Sequence, residues 1–179
     1  EMRPGDWSSD VCSSDLQTLP GMAIGNAVLT VSAQCAGAGD YEQVKYYAKK
    51  LHIIIYGLMI VCCLGVIAAL PAVLHVYSLS AEATAMTEDI IVYHGICCMI
   101  IWPIAFTLPN VLRASNDVAF CMILSILSMW ICRIGMSYVL GVRMGFGVFG
   151  VWVAMTMDWV VRAIFFVLRY RSGKWQHQM

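Results

Sequence analysis

The stretch Pro109-Asn-Val-Leu-Arg-Ala-Ser-Asn-Asp117 is a short polar interruption between two long apolar runs. The run that leads into it, Ile90 to Leu112, contains no Asp, Glu, Lys or Arg, and neither does the following run, Val118 to Cys132. A hydrocarbon core of roughly 30 Å is crossed by about 20 apolar residues in helical form. The stretch therefore predicts a tight turn that joins two membrane-spanning helices.

The residues of this turn predict how the two helices end and begin. Pro109 lacks the N–H that a helix requires, so we expect it to bend or end the first helix. Ser115 or Asn116 is expected to cap the second helix, with Asp117 near its positive end. Arg113 and Asp117 are expected to lie at the water boundary.

The composition places the chain among polytopic membrane proteins. It is 60% apolar and only 12% charged, with a mean hydropathy of +0.75. The formal net charge is zero, so there is no general attraction to nucleic acid. Most of the eight cysteines lie in apolar runs, where a thiol behaves as a small hydrophobe. We expect neither a structural metal nor an enzymatic site, because no catalytic or metal-binding motif is present.

The charge-poor runs predict an all-α bundle of about five transmembrane spans. They cover residues 19–39, 51–74, 90–112, 118–142 and 144–168. Residues 1–17 differ from the rest: they are polar and repeat a Ser-Ser-Asp motif, at 8–10 and 13–15. We interpret them as a non-native leader that resembles translated adapter sequence, the alternative being a disordered native loop. Residues 169–179 are predicted to form a tail.

The basic residues lie in alternate connectors, which predicts an orientation. They occur in the 40–50 connector, in the 113–117 hinge and in the tail, whereas the 77–89 connector has none and the glycine-rich turn at 141–150 has only Arg143. The positive-inside rule then places the 40–50 connector, the hinge and the tail in the cytoplasm.

Two polar residues interrupt the first predicted span. Asn26 and Gln34 are eight residues apart, close to one helical face, and could either hydrogen-bond across helices or line a cavity. Gly21 and Gly25 form a GxxxG motif, which lets helices approach closely in lipid.

The third predicted span carries Tyr93 and His94, followed one turn later by Cys97 and Cys98. Such a group could form half of a metal site, but a buried histidine in a bundle is far more often simply hydrogen-bonded.

The last predicted span holds an opposite-charge pair. Asp158 and Arg162 are four residues apart, with the acid first, so their side chains can meet on one helical face. With Arg169 at the interface, a rise of about 1.5 Å per residue puts Asp158 near the midplane. The pair could be structural, or it could sense a proton or a cationic substrate. Arg133 could be a second partner, unless it extends toward the interface.

Three segments together resemble the multidrug and toxic compound extrusion (MATE) transporters. Residues 20–39, from Pro-Gly-Met-Ala-Ile-Gly-Asn-Ala through Gln34 to Gly39, resemble the eighth span of that family. Residues 112–117, Leu-Arg-Ala-Ser-Asn-Asp, resemble its turn between spans ten and eleven. Residues 150–175 resemble its twelfth span and tail. The order and spacing agree over about residues 18–175.

The resemblance implies spans 8–12 of a twelve-span transporter, with two six-helix lobes that rock to alternate access. It implies export of organic cations in exchange for H⁺ or Na⁺, without other cofactors. The expected partners are the bilayer, the N-terminal lobe and small organic cations. The expected location is the inner (plasma) membrane.

One feature departs from the family. Some members carry a coupling carboxylate inside span ten, whereas here Ile90 to Leu112 has none and Glu88 and Asp89 lie at its mouth. Coupling could therefore rest on the N-terminal lobe. Alternative functions are a lipid-linked sugar flippase of the same superfamily, a non-transporting membrane scaffold, or a truncated fragment without function.

Overall fold

Helical geometry accounts for almost all of the chain, as its apolar, proline-poor sequence predicts. The computed structural model describes the backbone of residues 4–77 and 81–177 and the side chains of residues 17–72, 84, 85 and 87–176. The described residues form six α-helices: α1 Pro4–Gly37, α2 Tyr41–Tyr77, α3 Ala81–Ile100, α4 Leu108–Ala114, α5 Val118–Ser128 and α6 Gly147–Arg171. Pro103–Thr107, Met129–Met136 and Tyr138–Arg143 are π-helical, and Lys174–His177 forms a 3₁₀ turn. No strand occurs in these described ranges, which confirms the predicted all-α class.

Fewer helices satisfy the requirements of a membrane span than the five that were predicted. Tyr41–Ala72, Val118–Arg143 and Gly147–Arg171 are long and apolar enough, and the bent pair Thr87–Ile100 with Pro103–Ala114 adds a fourth if it counts as one span. The predicted span at 19–39 is helical within α1 but does not qualify, since polar and glycine residues lower its hydropathy. The described residues thus support three or four spans by length and composition.

The first helix runs through the boundary predicted at residue 17. α1 begins at Pro4 and continues without a break to Gly37. Residues 4–17 are helical in this structure, and their interpretation as a non-native leader or a disordered native loop stays a prediction. At the other end of the chain, α6 extends three residues past the predicted end of the last span and includes Arg169 and Arg171.

The bend in the third span lies six residues before the proline that was expected to cause it. The axes of Thr87–Ile100 and Pro103–Ala114 differ by 57°. Pro103 is the first residue after the break, and it cannot donate the backbone hydrogen bond that would continue α3. The π-helical turn that follows has i to i+5 backbone hydrogen bonds, which also interrupt the regular α-helical pattern. Pro109 lies in the first turn of α4, where a missing N–H is tolerated.

The turn after α4 has the predicted position but a different capping arrangement. Asn116 adopts a left-handed backbone with φ 65°, a conformation that asparagine tolerates better than most residues. Asp117, rather than Ser115 or Asn116, occupies the N-cap position of α5, without a side-chain capping bond. Ser115 Oγ instead donates to the carbonyl of Val111, 3.1 Å away. The capping prediction was therefore wrong.

The core lies where α1, α2, the bent pair and α6 meet. Gly21 and Gly25 are both buried on α1; a Cβ at Gly21 would lie 2.2 Å from the Trp102 ring, and one at Gly25 would lie 3.2 Å from Asn110 Nδ2. The GxxxG motif thus permits close packing, as the sequence predicted. Large apolar side chains cover the outer faces; Val61 and Val142, for example, are 67% and 68% exposed. Such faces suit a lipid environment.

Candidate functional site

The carboxylate of Asp158 is buried and has charged and polar partners. Its side chain is 1% exposed and lies in the middle of α6. Arg162 Nε donates to Oδ1 over 3.0 Å, which confirms the pairing predicted from the i, i+4 spacing. Ser128, at the end of α5, also donates its hydroxyl to Oδ1. The serine lies 30 residues away in sequence, and no local pattern could have indicated it.

The two oxygens of this carboxylate are not equivalent. Oδ1 accepts both hydrogen bonds, whereas Oδ2 is buried and has no hydrogen-bond partner among the described residues. An unsatisfied buried carboxylate oxygen is costly, and a proton or a cation bound there would relieve the cost. Oδ2 is therefore the atom of this carboxylate that is available to a proton or a cation.

Arg162 links the carboxylate to two neighbouring elements. Its Nη2 donates to the carbonyl of Ser125 on α5, at 3.2 Å. Its guanidinium carbon lies 5.8 Å from the centre of the Phe106 ring, within the range of a cation–π contact. The pair thus connects α5, α6 and the π-helical turn of the bent span.

His94 lies in a separate buried cluster. Its Nδ1–H donates to Oε1 of Gln17 over 2.6 Å, and Cys98 Sγ lies 3.5 Å from Nε2. The rings of Trp152 and Trp159 contact it edge-on, at centroid distances of 5.1 and 5.4 Å. This is the hydrogen-bonded arrangement that was expected to be commoner than a metal ligand. No group of three potential metal ligands exists among the described side chains.

A cavity of about 270 Å³ opens beside the GxxxG face of α1. Asn26 lines it, opposite the rings of Trp102 and Phe106. Asn110 also lines it, and its Nδ2 donates to the carbonyl of Gly25 over 2.9 Å. Of the two roles proposed for Asn26, the cavity lining is therefore the one that its position fits. We call this cavity the Asn26 pocket.

The other predicted site residues do not join these groups. Gln34 is exposed on α1 and does not line the Asn26 pocket. Arg133 is exposed and donates to Met155 Sδ over 3.5 Å, so it is not the second partner of Asp158. Tyr93 is half-buried and its ring lies 5.4 Å from that of Phe149.

A second buried ion pair was not predicted. Asp117, 4% exposed, accepts two hydrogen bonds from Arg169, at 2.7 and 3.2 Å. Asp117 was expected at the water boundary; its side chain is buried against Arg169, and its depth in the membrane stays a prediction. Arg113 is exposed, as expected there. The pair joins the hinge to the end of α6, across 52 residues of sequence.

Comparisons with known proteins agree with this architecture. The MatE family model matches residues 14–139, which is more than half of the chain. "Uncharacterized transporter YisQ" of Bacillus subtilis is 36% identical over 66 residues, which are 37% of this chain and 14% of that protein. "Probable multidrug resistance protein NorM" of Bacillus licheniformis is 22% identical over 144 residues, 79% of this chain and 32% of that protein.

No solved structure matches the chain. The chain spans about a third or less of the length of these two curated relatives. The apolar helices and the transporter relatives together indicate a multi-pass membrane protein. Because the family model covers most of the chain, the protein belongs to the MatE family of transporters.

Proposed function

We propose that the complete transporter containing this chain exports organic cations by alternating access, in exchange for H⁺ or Na⁺ across the inner membrane. Export of drugs is supported by the multidrug-resistance name of the relative from Bacillus licheniformis. In this proposal the chain forms part of one lobe, and the N-terminal lobe completes the cleft. The observation that carries the proposal is the buried Asp158 with one unsatisfied oxygen.

Asp158 is the proposed coupling residue. A proton or Na⁺ on its free Oδ2 would weaken the attraction between the carboxylate and Arg162, since the added positive charge would neutralise the carboxylate. Arg162 would then be held mainly by Ser125 and Phe106. Because these residues belong to other elements, a change in the position of Arg162 would alter the packing of α6 against α5 and the bent span. A ligand can shift a transporter between two states only if its interactions differ between them, and this change of contacts would provide the difference.

The proposed substrate path includes the Asn26 pocket. Organic cations are attracted to the faces of aromatic rings, and the pocket offers Trp102 and Phe106. The rings of these two residues are stacked with centroids 5.1 Å apart. None of the described residues that line the pocket is acidic, and this lining would favour delocalised cations over small metal ions.

Phe106 connects the proposed substrate path with the proposed coupling pair. It lines the Asn26 pocket and also contacts the Arg162 guanidinium. A substrate cation near this ring would repel the guanidinium, and a firmly held guanidinium would disfavour the substrate. The proposal therefore expects proton or Na⁺ binding at Asp158 and substrate binding in the pocket to influence one another through this ring.

Transport by the complete protein in proteoliposomes tests the proposal. We expect Asp158→Asn to give a normal yield of folded protein but to reduce efflux of a fluorescent organic cation at least tenfold, under imposed H⁺ or Na⁺ gradients. Adding Arg162→Gln should not restore efflux. Asp89→Asn, an exposed carboxylate at the mouth of the third span, is the matched control and should retain efflux.

Two results would contradict the coupling role. A purely structural pair would make Asp158→Asn lose folded protein, and the double variant Asp158→Asn with Arg162→Gln would recover it. Normal yield together with normal efflux in Asp158→Asn would exclude both roles. If no gradient drives efflux in the unmodified protein, antiport itself is wrong.

A further inference from the structure

A second groove, of about 470 Å³, opens between α2, the bent span and α6, and it shares no lining residue with the Asn26 pocket. Lys45 and Lys49 of α2 form one side of its lining. Ile104, Leu108 and Val167 provide an apolar lining from the bent span and α6. The groove thus combines two cations with an adjoining apolar channel, and none of its described lining residues is acidic.

The two lysines can act on the same ligand. They are four residues apart on α2 and therefore project from one helical face. Lys49 is exposed, and Lys45 is 42% exposed at its side chain. Lys45 pairs with Glu42 over 2.8 Å, but Glu42 is 86% exposed and does not line the groove. Such an exposed pair is weak, so Lys45 can exchange it for another anion.

Aromatic residues mark the level of this groove within the membrane. Tyr170 lines the groove and stacks on Trp175, with ring centroids 5.3 Å apart and planes inclined by 6°. The indole N–H of Trp175 donates to the carbonyl of Tyr170 over 2.9 Å. Tyrosine and tryptophan concentrate where the hydrocarbon meets the headgroups. The lysines therefore lie at headgroup level, while the apolar lining continues toward the hydrocarbon.

We propose that this groove is a binding site for an anionic phospholipid of the leaflet next to the Lys45–Lys50 connector. The phosphate lies between Lys45 and Lys49, and one acyl chain lies along Ile104, Leu108 and Val167. Basic pockets between transmembrane helices suit anionic headgroups, and the apolar lining excludes a ligand that is only a soluble anion. The lipid contacts α2, the bent span and α6 simultaneously, so it stabilises the packing of these three elements against one another.

Native mass spectrometry of the complete transporter in detergent tests this site. The probes are phosphatidylglycerol and phosphatidylcholine with identical acyl chains, added at equal concentration. We expect one phosphatidylglycerol to be retained in preference to phosphatidylcholine. Lys45→Gln and Lys49→Gln should each weaken this binding about fivefold, the effect of one lysine near an anionic headgroup. Inorganic phosphate at millimolar concentration should not displace the lipid.

Two further variants separate the groove from its surroundings. Lys50→Gln is the matched charge control, because Lys50 lies outside the groove and its ammonium is 5.7 Å from the Tyr46 ring. It should retain the lipid. Val167→Phe keeps both lysines but fills the apolar lining, and it should reduce lipid retention by a similar factor. Size-exclusion profiles and circular dichroism check that each variant is folded.

Several results would overturn the site. Equal retention of the two lipids would remove the requirement for negative charge. An equal loss in Lys50→Gln would indicate general surface attraction instead of a groove. Displacement by inorganic phosphate, or full retention in Val167→Phe, would exclude the acyl contact. Absence of bound lipid in the unmodified protein would indicate that another part of the transporter covers the groove. The efflux assay of Asp158→Asn is independent of all these outcomes.

Discussion

At the scale of single residues, the Asp117–Arg169 pair fixes the hinge to the last helix. Both side chains are largely buried, at 5% and 18% exposed, and the guanidinium donates to both carboxylate oxygens. The Phe120 ring lies 4.8 Å from the guanidinium carbon and completes its surroundings. Removal of one partner would leave the other charge buried without compensation, a change that typically costs several kcal/mol.

We therefore expect Arg169→Gln to lower the stability of the folded protein by about 3 kcal/mol, visible as a lower Tm in detergent. Asp117→Asn combined with Arg169→Gln should recover part of this loss, since no lone charge then remains. Arg171→Gln, an exposed arginine at the end of the same helix, is the control and should change the Tm little. Equal Tm values for Arg169→Gln and Arg171→Gln would show that the pair contributes no stability.

The two ion pairs also show which contacts the sequence could predict. Asp158 and Arg162 share one helix, so their four-residue spacing is sufficient to predict their contact. Asp117 and Arg169 meet only after the chain has crossed back through α6, and Gln17 and His94 are 77 residues apart. Helical periodicity predicts contacts within one helix, so it cannot predict contacts between residues that are this far apart in the sequence. Burial of Asp117 was missed for the same reason, because a hinge residue next to water is ordinarily solvated.

At the scale of helices, the contact between α1 and the bent span depends on one glycine. Trp102, which is 5% exposed, packs directly against Gly21. The sequence predicted the GxxxG face from its residue types but not its partner. The bend at Pro103 was also missed, although the proline is visible in the sequence, because a proline within an apolar run is compatible with either a kinked or an interrupted span.

We expect Gly21→Ala to destabilise the protein by about 1–3 kcal/mol, because the added methyl would overlap the Trp102 ring unless the helices separate. Gly57→Ala is the matched control: Gly57 lies within α2 and a Cβ there meets no atom within 4 Å. Alanine favours helix over glycine, so the control should be neutral or slightly stabilising. Thermal unfolding in detergent compares the two. A neutral Gly21→Ala would mean that α1 does not pack closely in the membrane.

At the scale of the whole molecule, the distribution of basic residues predicts which segments lie on each side of the membrane. Lys45, Lys49 and Lys50 flank the start of α2, and Arg169, Arg171 and Lys174 lie at the end of α6. One crossing by α2 must then place the segment before the third span on the opposite side. Of that 77–89 connector, residues 78–80 lie outside the described residues, while Glu88 is described and exposed.

We expect single cysteines at Lys50 and Lys174 to react with a membrane-impermeant maleimide only from the cytoplasmic side, and a cysteine at Glu88 only from the outside. The native cysteines are replaced beforehand by alanine or serine, and a permeant maleimide confirms that all three positions can react. Lys50 lies in the first part of α2 and Glu88 follows the end of that helix, so labelling of both from one side would mean that the apolar part of α2 does not cross the membrane. Lys174 and Glu88 bracket the bent span, α5 with its π-helical continuation, and α6. Three crossings put these two positions on opposite sides, whereas two would put them together. The same experiment therefore decides whether the helices joined at Pro103 act as one span.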